Sequence, residues 1–366
     1  MKIYKVGGCV RDKLIGKIPH DNDYLVIGAT PKQMLDLGYK QVGKTFPVFL
    51  HPETKEEYAL ARKEIKIGTK HSDFLFIFSP DITLSEDLVR RDFTCNALAE
   101  DTQTGEIIDC VGGRKDIEKK VLRHINDVHF QEDPLRVLRM CRFAAQLRFD
   151  IAADTMNLAI KMVQNNMLAH LSKERVWEEF YKALLCPDFY RFISTGIQCG
   201  ALQKLLPEIS EFYKNKTNIE LLKQKTLHST PKIRFAVFWL LSRNNIESAV
   251  SKKIHTPNDY AVLIKNYRLY TDTLLNSKTT TEELYDTTIA ITGLINTSRL
   301  NELAELINIM FEPQSTLEKN LARCNRIFTI CKPIRATDMP DFSQLPKDKN
   351  FGIAYRRYIL QKISGI

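Results

Sequence analysis

Two short stretches near the start of this 366-residue chain restrict its fold more than any other feature. Val6-Gly7-Gly8-Cys9-Val10-Arg11-Asp12 puts a glycine turn at the end of the strand-like run from Lys2 to Val6. His20-Asp21-Asn22-Asp23-Tyr24-Leu25-Val26-Ile27 then opens a second apolar run with two carboxylates at i and i+2. Residues i and i+2 of a strand point to one face, so Asp21 and Asp23 are expected side by side with Asn22 turned away. Adjacent carboxylates repel unless a cation lies between them, and Mg²⁺ carrying nucleotide phosphates suits that position. Glycines at a strand end let backbone N–H groups approach a triphosphate, and Arg11 can add bidentate phosphate contacts. Together the stretches point to a phosphoryl-transfer centre. Taken singly, Gly-Gly is an ordinary tight turn and Asp-Asn-Asp is good turn material.

The first third of the chain has mixed α/β patterning. Thr30-Pro31-Lys32-Gln33 is a helix start, with an N-cap threonine, proline at the first position and glutamine at the third, and the helix is expected to stop near Gly38. Pro47 to Leu50 and Glu57 to Ala61 fit strands joined by a turn at His51-Pro52-Glu53-Thr54. The polar stretch from Lys63 to Asp73 lacks periodicity and is expected to be a mobile loop. From about Ile117 the pattern turns helical, and Asp133-Pro134 opens a segment in which Leu135, Leu138, Phe143 and Leu147 alternate with Arg136, Arg139, Arg142 and Arg148. Ser172 to Leu185, Ile233 to Leu241, Leu300 to Phe311 and Phe351 to Ile363 also have helical spacing.

Bulk composition narrows the class. A net charge of +9 favours a polyanionic partner, with nucleic acid first among them. The eight cysteines form no CxxC pair and no metal-ligand spacing, as expected of reduced, mostly buried thiols. No targeting segment is visible, and no apolar run approaches the roughly eighteen residues a membrane span needs. The expectation is a cytoplasmic protein without a membrane partner. Nothing in the sequence sets an oligomeric state.

Two further motifs can serve a nucleotide. Arg90-Arg91-Asp92-Phe93-Thr94-Cys95-Asn96-Ala97-Leu98 reads as the opening of a helix, with Arg91 able to neutralise a triphosphate and Asp92 or Asn96 able to bond a ribose. Glu132-Asp133-Pro134-Leu135-Arg136-Val137-Leu138-Arg139 places Asp133 and Arg136 at i and i+3, on one face if both are helical. An aspartate that accepts from an exocyclic amine, beside an arginine that donates to a ring nitrogen or carbonyl, can read a base edge without a template. The plain alternatives are a solvated arginine pair and a weak surface ion pair.

Taken in order, GGxVRD, DxD, RRDxTxNA and EDxxR closely resemble the bacterial CCA-adding tRNA nucleotidyltransferases of the class II branch, which also holds bacterial poly(A) polymerases. The resemblance is dense from Met1 to about Leu147, including Val42-Gly43-Lys44 and Phe46 to Pro52, and thinner from Leu171 to Leu206, where Ser172-Lys173-Glu174-Arg175-Val176-Trp177 is similar to the family's RNA-binding neck. It implies a polymerase-beta-like α/β head over 1–123, an all-α neck over 124–210 and a helical body and tail over 211–366. It implies that Asp21 and Asp23 are catalytic and hold Mg²⁺, and that Gly8, Arg11, Arg91, Asp92, Asp133, Arg136 and Arg139 bind nucleotide. Glu57 is a candidate third carboxylate. The implied reaction adds CCA to the 3′ end of tRNA from CTP and ATP with release of pyrophosphate, and the polar loop from Lys63 to Asp73 falls where the family has a flexible element tied to the nucleotide switch.

Some members carry an HD phosphohydrolase domain after the neck. Here Leu240 and Leu241 stand where its His-Asp pair would be, so no such activity is expected. The rival readings are a poly(A) polymerase, a partial enzyme adding only CC or only A, and a non-catalytic RNA-binding scaffold. The position of the first motif and Asn96-Ala97-Leu98 favour the tRNA enzyme over the polymerase, and the intact acidic pair counts against a scaffold. Lys214/Lys216, Lys252-Lys253 and Arg356-Arg357 are candidate phosphate grips.

Overall fold

Lys2–Val6 forms a strand (β1) whose alternate residues Tyr4 and Val6 are buried, and Gly7, at φ 77°, turns the chain out of it into helix α1, Gly8–Leu14. The computed structural model describes residues 1–19, 21–42, 48–66, 74–242, 254–340 and 349–365. The parts of the 42–44 and 46–52 motifs at 43–47 lie outside these residues, as do 67–73 of the expected loop and the pair Lys252-Lys253.

A seven-stranded sheet forms the head. Its order is β3-β4-β5-β2-β1-β8-β9, from Lys40–Val42 (β3), Val48–Leu50 (β4), Glu57–Leu60 (β5), Asp23–Ile27 (β2), β1, Leu98–Asp101 (β8) and Ile107–Asp109 (β9). All neighbours are antiparallel except β2 and β5, which run parallel with Asp23 opposite Glu57. Leu25 packs with Tyr4, Val6, Ile82 and Leu88, whereas the next residue, Val26, packs with Met34, Phe49 and Leu60. Strand β2 is therefore covered on both faces, which explains its unbroken apolar run. Helix α2, Pro31–Asp36, starts on the expected Thr30–Gln33 capping box, and α3, Leu84–Val89, starts on a second one formed by Thr83 and Glu86.

Three sequence expectations need correction. Lys63 to Lys66 are not loop: Arg62–Lys66 (β6) pairs antiparallel with Phe74–Phe78 (β7), because a run rich in aromatic and β-branched residues recruits a polar partner strand that shows no pattern of its own. Arg90 to Leu98 does not open a helix. Arg90 ends α3, Thr94–Asn96 makes a single 3-10 turn and Leu98 starts β8. The cause is local: the Asp92 carboxylate accepts the Phe93 N–H at 2.8 Å and Phe93 is extended, as side chains that compete for backbone groups disfavour a helix interior. The chain after Ile117 is also not wholly helical, since Val121–Leu122 (β10) pairs in parallel with Asp150–Ile151 (β11).

Helix α4, Gly113–Glu118, leads to β10 and then to α5, Asp127–Glu132, and α6, Leu135–Leu147. Helix α6 is nearly all buried and packs on α8, Lys173–Leu184, and α9, Phe189–Gln198; α7, Ala153–Gln164, comes between α6 and α8 in the chain. These elements belong to one compact unit, Met1–Glu220. A second, Leu221–Ile366, contains Pro231–Leu241, Asn258–Leu275, Thr281–Thr292, Ser298–Met310, Ser315–Cys331 and Lys349–Ile363. Leu240 and Leu241 end the helix Pro231–Leu241, which buries Phe235, Phe238 and Trp239. The eight cysteines are free, seven buried and Cys110 exposed. Among the described residues no helix is long and apolar enough to cross a membrane.

Candidate active site

Strand β1, the turn after it, β2, the α3–β8 connection and α6 surround one open cleft of about 860 Å³. All nine site residues expected from the sequence line it: Gly8, Arg11, Asp21, Asp23, Arg91, Asp92, Asp133, Arg136 and Arg139. So does Glu57, set beside Asp23 by the β2–β5 register.

The acidic pair differs from expectation in one respect. Strand β2 begins at Asp23, so Asp21 precedes the strand and reaches the cleft from a bend. Asn22 turns away as expected, with its Nδ2 donating to Glu56 Oε1 at 3.2 Å. Desolvation by the cleft walls pushes the Asp23 carboxyl up, Arg91 draws it down, and Asp21 pushes it up again. That repulsion between two hard oxygen donors fits a divalent cation that also binds phosphate oxygens and water. Among the described residues no group of three or more His, Cys, Asp or Glu side chains is assembled as a complete metal cage.

The basic wall rests on buried carboxylates. Asp87, fully buried on α3, pairs with both Arg90 and Arg91, the latter at 3.1 Å. Burial would raise the Asp87 carboxyl, but the two guanidinium groups hold it below its usual value. Arg91 Nη1 lies 3.2 Å from where a Cβ on Gly7 would sit, and Arg91 Nε is buried without a hydrogen-bond acceptor. Gly7 is thus the glycine that geometry demands; Gly8 next to it has only ordinary contacts. Arg11 is 3% exposed and gives its donors to Asp12 and to Asn96 Oδ1, over the ring of Phe143.

Asp92 is also committed to protein partners. It accepts from Phe93 N and Asn96 Nδ2 through Oδ1, and from Arg139 Nε at 2.8 Å and Nη2 at 2.6 Å through Oδ2. Burial acts against the charge, yet Arg139 and Arg136 hold the carboxyl at about 2.

Asp133 and Arg136 do not share a helical face. Asp133 is extended at φ −121° and ψ 101°, because the residue before a proline is driven out of the α region, and α6 starts only at Leu135. Both side chains still reach the cleft, by different supports. Asp133 pairs with Arg175 at 2.8 Å, and Arg136 donates to the carbonyls of His129 and Arg90, the latter at 2.9 Å. Sequence reasoning missed Arg62, Gln146 and Lys182 in the lining and Glu179 behind it. Glu179 is 2% exposed and takes Arg142 directly, with Arg139 Nη1 at 3.7 Å. Its signal was there: an acid four residues after Arg175 on a helix, on the buried face.

Two of the candidate phosphate grips hold acidic partners. Lys214 pairs with Glu211 at 2.6 Å, and Arg356 with Glu282 and Asp286 at 2.9 and 2.7 Å.

A model of the poly A polymerase head domain matches residues 3–123, and one described as the probable RNA and SrmB-binding site of polymerase A matches 148–213. The chain is 46% identical over 264 residues to the CCA-adding enzyme of Coxiella burnetii (strain RSA 493 / Nine Mile phase I), covering 72% of this chain and 69% of that one. It is 40% identical over 343 residues to the multifunctional CCA protein of Teredinibacter turnerae, covering 82% of each. The multifunctional CCA protein of Vibrio vulnificus (strain YJ016) is 51% identical over 216 residues, 58% of this chain. At 53% coverage, the chain spans about half the length of that relative. Its fold is similar to the crystal structure of the Bacillus stearothermophilus CCA-adding enzyme in complex with CTP, with a TM-score of 0.72 at 22% identity over 99% of this chain and 89% of that one.

Proposed function

We propose that this chain, which belongs to the CCA-adding enzyme family, adds cytidine twice and then adenosine to the 3′ end of tRNA, using CTP and ATP and no nucleic-acid template. The observation that carries this reading is one cleft lined by the acidic pair Asp21 and Asp23, by Arg91 and by the base-edge groups Asp133 and Arg136. In this reading 1–123 is the head, 124–210 the neck, and 211–366 the body and tail that bind tRNA, and the protein works in the cytoplasm.

The terminal 3′-hydroxyl attacks the α-phosphorus in line and pyrophosphate leaves. Nucleotidyltransferases of this kind generally use divalent metals; Mg²⁺ held by Asp21 and Asp23 would lower the hydroxyl pKa and offset phosphate charge. Gly8, Arg11 and Arg91 bind the triphosphate. Asp133 accepts the exocyclic amine that cytosine and adenine share, Arg136 donates to the base edge, and Arg139 continues the basic wall toward the phosphates with Asp92 holding it.

The test is primer extension on tRNA lacking CCA, with nucleotides supplied separately. CTP alone should add two cytidines, ATP alone none, and both together the full CCA. A poly(A) tail, or arrest after two cytidines with both nucleotides present, overturns the reading.

A further inference from the structure

Asp133 is held by donors from two directions. Its Oδ1 accepts the Leu135 N–H at 3.1 Å and Arg175 Nη1 at 3.3 Å, and its Oδ2 accepts Arg175 Nη2 at 2.8 Å. The fork of two parallel N–H···O bonds, crossed by a backbone N–H, fixes the plane of the carboxylate. Arg175 itself is positioned by α8, whose N-terminus is capped by Ser172.

We propose that Arg175 is a positioning residue for base choice, locking the Asp133 carboxylate in the one orientation that accepts an amine and repels a carbonyl. This rests on the function proposed above. Cytosine and adenine present an exocyclic amine at this edge, whereas uracil and guanine present an oxygen. A carboxylate that can rotate loses the geometry on which that difference depends, so selectivity follows the rigidity of its support.

Stability does not account for the pair. The side chains of Arg175 and Asp133 are 23% and 21% exposed on the cleft wall, and partly solvated ion pairs add about 1 kcal/mol or less to folding. Structural load falls instead on Glu179 one turn further along α8, which is buried and binds Arg142.

The experiment compares wild type with Arg175→Lys and Arg175→Gln on tRNA lacking CCA. It measures kcat and KM for CTP, ATP and UTP, the KM for tRNA, and the melting temperature. Lysine keeps the charge but loses the planar fork. Losing one charge-assisted bond predicts a fall of about tenfold in the CTP-over-UTP ratio of kcat/KM, carried by a higher KM for CTP and ATP. Arg175→Gln should fall further, with the tRNA KM and the melting temperature unchanged in both. A ratio that stays at the wild-type value in both variants overturns the proposal, as does an activity loss that merely follows a lost melting transition. Wild type that adds no cytidine at all refutes instead the function on which the proposal rests.

Discussion

Replacing Asp92 by asparagine tests the electrostatic footing of the cleft. The carboxylate is 6% exposed, accepts from Phe93 N, Asn96 Nδ2 and Arg139, and is held at about 2 against an ordinary 3.8. A carboxyl with a depressed folded-state pKa contributes stability that is present above its unfolded value and lost as pH falls through the folded one. Here the window runs from about pH 4 down to about pH 2. Holding the carboxyl at about 2 instead of 3.8 corresponds to about 2 kcal/mol at neutral pH. Asparagine keeps the size but sets an amide beside Arg139, and breaking a buried pair by losing one partner costs about 3–5 kcal/mol. The expected loss is therefore about 2–4 kcal/mol. Trp177 reports on the unit Met1–Glu220 and Trp239 on the other, so urea unfolding is followed by fluorescence in a Trp239→Phe background. Adding Arg139→Gln to Asp92→Asn should recover part of the loss by removing the stranded charge. Stability of the asparagine variant should also fall less than wild type between pH 4 and 2. A loss under about 1 kcal/mol, or an acid dependence identical to wild type, refutes the reasoning.

Asp21→Ala and Asp23→Ala should each abolish nucleotide addition while tRNA still binds in a filter assay; comparable turnover in either variant removes their metal role. Gly113→Ala would set a Cβ 2.2 Å from the Thr94 carbonyl oxygen, so it should cost about 3 kcal/mol or more in the same urea experiment. Gly112→Ala meets nothing within 4 Å and carries only the strain of φ 80°, about 1 kcal/mol, and the reverse order of the two would show that the close approach is wrongly assigned. Leucine binds no metal, so Leu240 and Leu241 predict no metal-dependent hydrolysis of 2′,3′-cyclic nucleotides, and release of product from purified protein would contradict that.

What was legible in the sequence were the features that act locally. The Thr30–Gln33 capping box, the Gly7 turn and the apolar run of β2 each act through neighbours in the chain, and each stands where expected. The strand β6 was not legible because its reason lies in β7, several residues away, and not in its own polar composition. Asp133 was placed in the right cleft by the wrong geometry. Helical spacing suggested a shared face with Arg136, but Pro134 expels Asp133 from the helix, and its partner Arg175 lies 42 residues on. That proline effect was readable in principle, whereas the pairing with Arg175 required the tertiary packing of α6 on α8.

The same distinction explains why the groups proposed for phosphate and for base depend on one another. Asp87 is fully buried and binds both Arg90 and Arg91, so it sets the direction of the arginine proposed to bind the triphosphate. By clamping Arg90 at the end of α3 it also fixes the Arg90 carbonyl, which accepts from Arg136 Nη2 at 2.9 Å. One carboxylate, present in the sequence only as the fourth residue of a short capped helix, thus orients a phosphate-side arginine directly and a base-side arginine through a main-chain oxygen. Loosening Asp87 should therefore weaken triphosphate binding and base choice together, whereas loosening Arg175 touches base choice alone.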